Sequence, residues 1–270
     1  GQQVLALPTL PRHVHEQAAA ELHQAERSRT QVRQLTLRHP EMTVADAYEI
    51  QAAWLRLKLA EGRTIAGRKV GLTSRAMRDA LGIDDSDLGT LFDDMLHVDG
   101  AVIPFDRYIE PKVEVELAFI LKEPLSGPNV NFLDVLRATE SVVPAIEILD
   151  ARMHRIDPDT KRQRTVIDTI SDNAANAGVL IGGRPFKPDA ADLRWVSAFC
   201  LRNGEVIETG SGAGVLNHPA NGIAWLANAL HKHGERLDAG QIHLSGSFIR
   251  PVTVRKGDTI HADFGRFGSV

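Results

Sequence analysis

The stretch Lys112-Val-Glu-Val-Glu-Leu-Ala-Phe-Ile-Leu121 constrains the fold more than any other part of the sequence. Read as a strand, it places Val113, Val115, Leu117 and Phe119 on one face. Glu114 and Glu116 share the other, with Ala118 and Ile120 beyond them. Two like charges at neighbouring same-face positions repel unless a positive centre lies between them. A divalent cation would satisfy both, and ligation by oxygen alone favours a hard ion such as Mg2+ or Mn2+. The alternative is a half-exposed strand whose acidic face is simply solvated. A second extended segment, Val142-Val-Pro-Ala-Ile-Glu-Ile-Leu-Asp150, carries a third carboxylate, Glu147, among apolar neighbours, with Pro144 expected at the strand's start. A glutamate in so apolar a run is costly to bury without a partner. Three carboxylates would hold a metal and leave positions open for water and substrate. Pairing of Glu147 with an arginine such as Arg152 is the competing account.

Upstream, Val14, Ala18, Leu22, Ala25, Val32 and Leu35 fall roughly on one face of a helical period. A second helix opens at Thr43, whose hydroxyl and the following Asp46 suit a helix N-terminus. Ala47, Ile50, Trp54 and Leu57 form its apolar stripe, and Gly62 offers a left-handed stop. From Arg63 the composition changes to extended segments separated by glycine-rich turns. These are expected at 68–72, 102–103, 112–121, 145–149, 179–181, 195–202, 241–244, 252–254 and 259–264. Asn203-Gly204 is the strongest hairpin signal, because a type I′ turn needs positive φ at both central residues. A later helix is expected from Pro219 to Lys232, with Asn217 or His218 as its cap and Gly234 past its end. The pattern predicts an α+β protein with a helical N-terminal segment, residues 1–65, and a mainly β core domain, residues 66–270.

Lysine and arginine total 31 against 35 acidic residues, a net charge of −4, which argues against nucleic acid or an anionic membrane as partner. No apolar run is long enough to cross a membrane. The stretch Gly1–Leu10 lacks a basic start and runs into Pro8 and Pro11, so it is not read as a signal peptide. The single cysteine, Cys200, cannot form an internal disulfide and reads as inert core. A cytoplasmic location is expected. The histidines show no zinc-ligand spacing, and Gly210-Ser-Gly-Ala-Gly214 lacks the lysine of a P-loop.

The Glu114-x-Glu116 pair, followed by Glu147 31 residues after Glu116, resembles the metal site of the fumarylacetoacetate hydrolase superfamily. Within that superfamily, Gly67-Arg-Lys-Val-Gly-Leu-Thr-Ser74, Asp168-Thr-Ile-Ser-Asp-Asn-Ala174 and Gly214-Val-Leu-Asn-His-Pro-Ala-Asn221 resemble the hydratases of meta-cleavage pathways. The resemblance runs from about Val14 to the C-terminus. It implies a mainly β core of mixed, rolled sheets beneath the helical N-terminal segment. It also implies a 2-oxo or 2-enol acid substrate whose head chelates the metal, with water adding to the conjugated double bond. The basic stretch Asp150-Ala-Arg-Met-His-Arg-Ile-Asp-Pro-Asp-Thr-Lys-Arg-Gln-Arg164 points to the branch taking a seven-carbon diacid. There 2-hydroxyhepta-2,4-diene-1,7-dioate becomes 4-hydroxy-2-oxoheptanedioate in homoprotocatechuate degradation. An arginine suits the distal carboxylate, because the planar guanidinium matches two oxygens. Arg152, Arg155, Arg162 and Arg164 are the candidates.

The resemblance further implies Lys69 and Asp87 as the proton-transfer pair. Lys69 is expected to have its pKa lowered by partial desolvation near the metal. Asp87 is expected in an acidic lid loop, Ile83-Asp-Asp-Ser-Asp-Leu-Gly-Thr90. Leu72, Arg152, Ser171, Asn173 and Ser247 are the implied substrate contacts. Each has a plainer reading, as a surface charge or an ordinary turn residue. The same resemblance accommodates a metal-dependent decarboxylase of a vinylogous 2-oxo acid and a hydratase of 2-oxopent-4-enoate. It also accommodates a non-catalytic partner subunit of a pathway decarboxylase. Hydrolytic C–C cleavage would need a His–Glu pair, for which no motif is found. A homo-oligomer, able to associate with a pathway decarboxylase, is implied. Relatives continue their final strand past Phe267-Gly-Ser269, where this sequence ends at Val270.

Overall fold

The computed structural model describes residues 7–270, so residues 1–6 of the stretch weighed as a signal peptide lie outside the described residues. The chain opens with helices α1 (Arg12–Ser28), α2 (Leu35–Arg38) and α3 (Val44–Ala60). Next come β1 (Ile65–Gly71), α4 (Arg75–Leu81), β2 (Asp87–Phe92), β3 (Leu96–Val98), β4 (Lys112–Leu121), α5 (Phe132–Ala138) and β5 (Thr139–Leu149). The rest holds α6 (Val166–Ser171), β6 (Asn176–Ile181), β7 (Ser197–Arg202), β8 (Glu205–Ser211), α7 (Pro219–His231), β9 (Ile242–Ser247), β10 (Val252–Thr253) and β11 (Ile260–Asp263).

The principal sheet is mixed and curled, with strand order β2-β1-β9-β4-β5-β6-β3 and β10 added against β4. The pairs β1–β9 and β3–β6 are parallel and the others antiparallel. Strands β11, β7 and β8 form a second, smaller sheet. The alternation in β4 sorts its side chains as expected. Val113, Val115, Leu117 and Phe119 enter the main core with Ile146, Ile148 and the α7 residues Ile223 and Leu226. Ala118, on the opposite face, packs with Leu91, Val143, Ala145, Val179 and Leu244. Helix α7 is capped by His218, whose Nδ1 accepts from the Ala220 N–H at 3.0 Å. The β7–β8 turn has φ of 53° at Asn203 and 81° at Gly204. Among the described residues no helix is long and apolar enough to cross a membrane.

Four local expectations are corrected. The first helix does not continue to Leu35. Arg29 takes a left-handed φ of 56° and its N–H caps onto the Ala25 carbonyl, ending α1 before Val32 pairs with Met153. Residues 102–103 are not a strand, and Val102 is almost fully exposed. Pro144 lies mid-strand in β5, opposite Leu117 of β4. It is tolerated because the β5–β6 ladder ends at Ala145–Ile181: the Gly182 N–H still donates to the Pro144 carbonyl at 3.1 Å, and the chain then turns at Gly183, so the missing proline N–H has no ladder to serve. Asp87 is no loop residue: it opens β2, paired with Gly71 and buried. At the C-terminus, Val270 exchanges both backbone hydrogen bonds with Ala262.

The N-terminal helices bury Leu22, Leu35, Ile50 and Trp54 against Phe92, Met95 and Met153. Asp46 ties this layer together. Its carboxylate accepts from the Thr43 N–H at 2.9 Å, the Leu10 N–H at 3.0 Å and His15 Nε2 at 2.8 Å. Burial would raise its pKa, but His15 and the N–H groups of Thr43, Leu10 and Thr9 outweigh burial and hold it well below the usual aspartate range. Asp46→Ala is therefore expected to cost roughly 2–3 kcal/mol in urea unfolding. The depressed pKa sets the sign. The contribution is fully present above the unfolded aspartate pKa and is lost as the pH falls toward the folded value.

Candidate metal centre and active-site cavity

Glu114 of β4 stands directly across from Glu147 of β5, and Glu116 follows two positions along on the same face. One carboxylate oxygen from each lies within 4.8 Å of the others. Glu116 and Glu147 are fully buried, and Glu116 Oε2 and Glu147 Oε1 have no hydrogen-bond partner. Orphaned anionic oxygens this close together are unfavourable unless a cation or a proton joins them. The protonation behaviour agrees. Burial, then the charge of Glu147, pushes the Glu114 carboxyl up to about 8, with Lys69 and Ser247 opposing. Burial and Glu147 likewise raise Glu116 well above its ordinary value. Three carboxylates, two of them with a partnerless oxygen, fit a hard divalent cation.

The remaining oxygens are held by groups that no pattern reveals. The β4–β9 register shifts between Glu116 and Ala118, leaving a bulge at Gly246. The bulge N–H donates to Glu116 Oε1 at 3.0 Å. Asn176 Nδ2, at the start of β6, donates to Glu147 Oε2 at 2.8 Å. Lys69 of β1 lies 3.4 Å from Glu147 Oε2. Two strands separate β1 from β5, roughly 14 Å between backbones in a flat sheet. The curl of the sheet and two long side chains close that gap. Lys69 Nζ also donates to the Ala174 carbonyl at 2.9 Å. That carbonyl is aimed by three successive residues with positive φ, Asn173, Ala174 and Ala175, a costly backbone path of the kind found at functional sites.

With the three carboxylates uncompensated, Lys69 is shifted upward. Burial alone would lower its pKa, but the charges of Glu147, Asp87, Glu114 and Glu116 outweigh burial and raise it above the ordinary lysine value. Asp87 is shifted as a useful base would be. Burial raises it to about 6, with Lys69 opposing. Its Oδ1 is buried and unpartnered. Gly71 makes room for it, since a Cβ there would lie 2.3 Å from that oxygen and 3.2 Å from Lys69 Nζ.

Lys69, Asp87, Glu114, Leu72 and Ser247 line one cavity of about 240 Å³. Leu72 has φ of 58°, and its carbonyl accepts from Arg78 at 2.9 Å and Ser86 at 3.1 Å. Three other residues expected at the substrate are turned to structural work. Ser171 Oγ donates to the Ile167 carbonyl within α6. The Asn173 side chain exchanges two hydrogen bonds with the Thr90 backbone, at 2.8 and 2.9 Å, and so anchors the strained turn that carries Ala174. Arg152 is buried, with Nε on Asp172 at 2.7 Å and Nη2 on the Asn176 carbonyl at 2.9 Å. Cys200 is buried and unpaired.

A curled mixed sheet that gathers three carboxylates able to hold a metal, beside a lysine and a cavity, defines the site of an enzyme built around oxygen donors. The chain belongs to the fumarylacetoacetate hydrolase superfamily. It is 58% identical over 259 residues to the 2-oxo-hept-4-ene-1,7-dioate hydratase of Escherichia coli, covering 96% of this chain and 97% of that one. The structure of the 4-oxalocrotonate decarboxylase from Pseudomonas putida G7, complexed with magnesium and adipate, superposes with a TM-score of 0.91. That match has 36% identity and covers 97% of this chain and 98% of the other. A yeast fumarylacetoacetate hydrolase family protein shares the fold at a TM-score of 0.52 and 13% identity, over 76% of this chain and 89% of its own. No protein-family model matches the chain.

Proposed function

We propose that this protein is a divalent-metal-dependent hydratase, a hydro-lyase of aromatic catabolism. It would convert 2-hydroxyhepta-2,4-diene-1,7-dioate, through its 2-oxo tautomer, into 4-hydroxy-2-oxoheptanedioate. The observation that carries the reading is the trio Glu114, Glu116 and Glu147, the last two fully buried with one orphaned oxygen each, beside a cavity shared with Lys69 and Asp87. The substrate rests on the near full-length likeness to the Escherichia coli hydratase.

Glu114, Glu116 and Glu147 would hold Mg2+ or Mn2+. Once bound, such an ion supplies Lewis-acid polarisation of the 2-oxo acid head and offsets the three carboxylate charges. Asn176 and the Gly246 N–H fix two of the carboxylates. Leu72 and Ser247 would bound the substrate head. Asn173 acts one step removed, holding the turn whose carbonyl positions Lys69. Lys69 Nζ keeps a proton to deliver along the carbon chain during ketonisation, and Asp87 Oδ1 is placed to accept one from the attacking water.

The likeness to a decarboxylase favours a second reading, loss of CO2 from a vinylogous 2-oxo acid on the same site. Incubating the purified protein with Mg2+ and, in parallel, the seven-carbon dienol or 2-oxohex-3-ene-1,6-dioate, whose far carboxylate is vinylogous to the 2-oxo group, and assaying hydroxy acid against CO2, separates the two. The hydroxy acid is expected, in turnover that EDTA abolishes and Mg2+ restores. Carbon dioxide would overturn the hydratase in favour of the decarboxylase. Turnover indifferent to EDTA would remove the metal from the account. A non-catalytic partner subunit would show no turnover alone. A cytoplasmic homo-oligomer, able to associate with a pathway decarboxylase, belongs to the same reading. Light scattering on the protein alone and mixed with that enzyme tests the assembly.

A further inference from the structure

Four arginines lie in the segment between β5 and α6, and three of them are already engaged. Arg152 is bound to Asp172, as described above. Arg155 Nη1 donates to the Glu110 carbonyl at 2.7 Å and lies 3.2 Å from its carboxylate. Arg162 donates to Gln34 Oε1 at 3.2 Å and reaches Asp168 at 3.7 Å. Arg164 differs. Its Nη1 is buried without a hydrogen-bond partner, and among the described residues no carboxylate lies within ion-pair distance of its guanidinium. Its side chain lines the cavity that also holds Lys69, Asp87, Glu114 and Ser247.

A guanidinium nitrogen that is buried and left without a partner is unfavourable, the more so beside other arginines. Burial pulls its pKa down to about 10, with the carboxylates of Asp172 and Asp168 opposing and the charges of Arg155 and Arg152 adding to the effect. An anion entering the cavity would relieve this. The wall also includes Leu149, Val166, Ile249 and Pro251, whose apolar surface suits a methylene chain, alongside the hydroxyl-bearing Thr73, Ser74, Thr165 and Thr169.

We propose that Arg164 is the specificity-determining residue that receives a remote carboxylate of the substrate, so that the cavity selects 2-oxo dicarboxylates over 2-oxo monocarboxylates. This rests on the reading above, in which the 2-oxo acid head is held at the Glu114–Glu116–Glu147 centre. The planar guanidinium can meet both oxygens of a carboxylate at once, which a lysine cannot do.

The test compares 2-oxoheptanedioate with 2-oxoheptanoate, which share head and length and differ only in the far carboxylate. Binding to the Mg2+-loaded protein is followed by calorimetry. The wild type is expected to prefer the dioate by roughly ten- to a hundredfold, the range of one charge-assisted contact. In Arg164→Gln the dioate should fall to the affinity of the monoacid, with the monoacid unchanged. Arg164→Lys keeps the charge in case the glutamine variant folds poorly, and should retain only part of the preference. Arg155→Gln should retain all of it. The proposal is overturned if Arg164→Gln keeps the wild-type preference or weakens both ligands equally. A wild type that binds both ligands alike overturns it while leaving the metal-centred reading standing. A wild type that binds neither takes that reading down as well.

Discussion

Glu116→Gln is expected to abolish turnover and at the same time to make the metal-free protein more stable at neutral and alkaline pH. The first half follows from losing an anionic oxygen donor. Activity should fall on the order of a thousandfold or more, with Mg2+ binding lost in calorimetry. The second half follows from the raised pKa values of Glu114 and Glu116, the former at about 8. A folded-state pKa above the unfolded value means that folding favours the protonated form. The associated stability is fully present below the unfolded pKa, about 4.3 for a glutamate, and is lost as the pH rises through the folded value. In EDTA, the wild-type melting temperature should therefore decline from pH 5 to pH 8.5. Mg2+ should reverse the decline. Glutamine keeps an acceptor for the Gly246 N–H and removes one of the three charges, so the variant's curve should be flatter in EDTA and indifferent to Mg2+. A wild type whose stability ignores both pH and Mg2+ over this range would mean the carboxylates are satisfied without a cation.

The acid cluster was readable because its logic is local. Alternation along β4 decides which side chains share a face, and an isolated glutamate in β5 stands out against its apolar neighbours. The cross-strand register that sets Glu114 opposite Glu147 then needs only antiparallel pairing. The residues that finish the site have no such signature. The Gly246 N–H and the Ala174 carbonyl are backbone groups, positioned by a bulge and by three residues of positive φ. Asn176 owes its role to where β6 begins. Asp87 misled for a related reason. Asp84, Asp85, Ser86 and Asp87 have turn composition, but pairing with β1 draws Asp87 into a strand and buries it beside Lys69. The lowered pKa expected of the lysine presumes a metal beside it; with the carboxylates uncompensated, their combined field outweighs desolvation. The arginines could not be ranked from sequence, because what distinguishes them is a partner such as Asp172, 20 residues from Arg152. The N-terminal helices show the opposite balance. The capping box at Thr43 and Asp46 and the apolar stripe of α3 are local signals, and they survive intact.

Asp87→Asn should separate proton transfer from metal binding. The carboxylate is buried, unpartnered at Oδ1, and faces the cavity beside Lys69. Asparagine preserves the shape but cannot take a proton, so kcat/KM should drop by roughly a hundred- to ten-thousandfold. Mg2+ affinity should stay near the wild-type value, because Asp87 is not one of the three gathered carboxylates. The pH profile gives the sharper readout. A base must be ionised to act, and burial raises Asp87 to about 6. Wild-type kcat/KM should thus climb with pH through about 6 and level off above it. In Asp87→Asn that ascending limb should vanish along with most of the rate. The neighbouring ammonium opposes the shift, so Lys69→Met should move the limb of its residual activity to higher pH. Nothing in a merely structural role for Asp87 predicts this coupling. A variant that kept both the rate and the limb would assign the base elsewhere. One that lost Mg2+ as well would show that Asp87 serves the metal centre rather than the water.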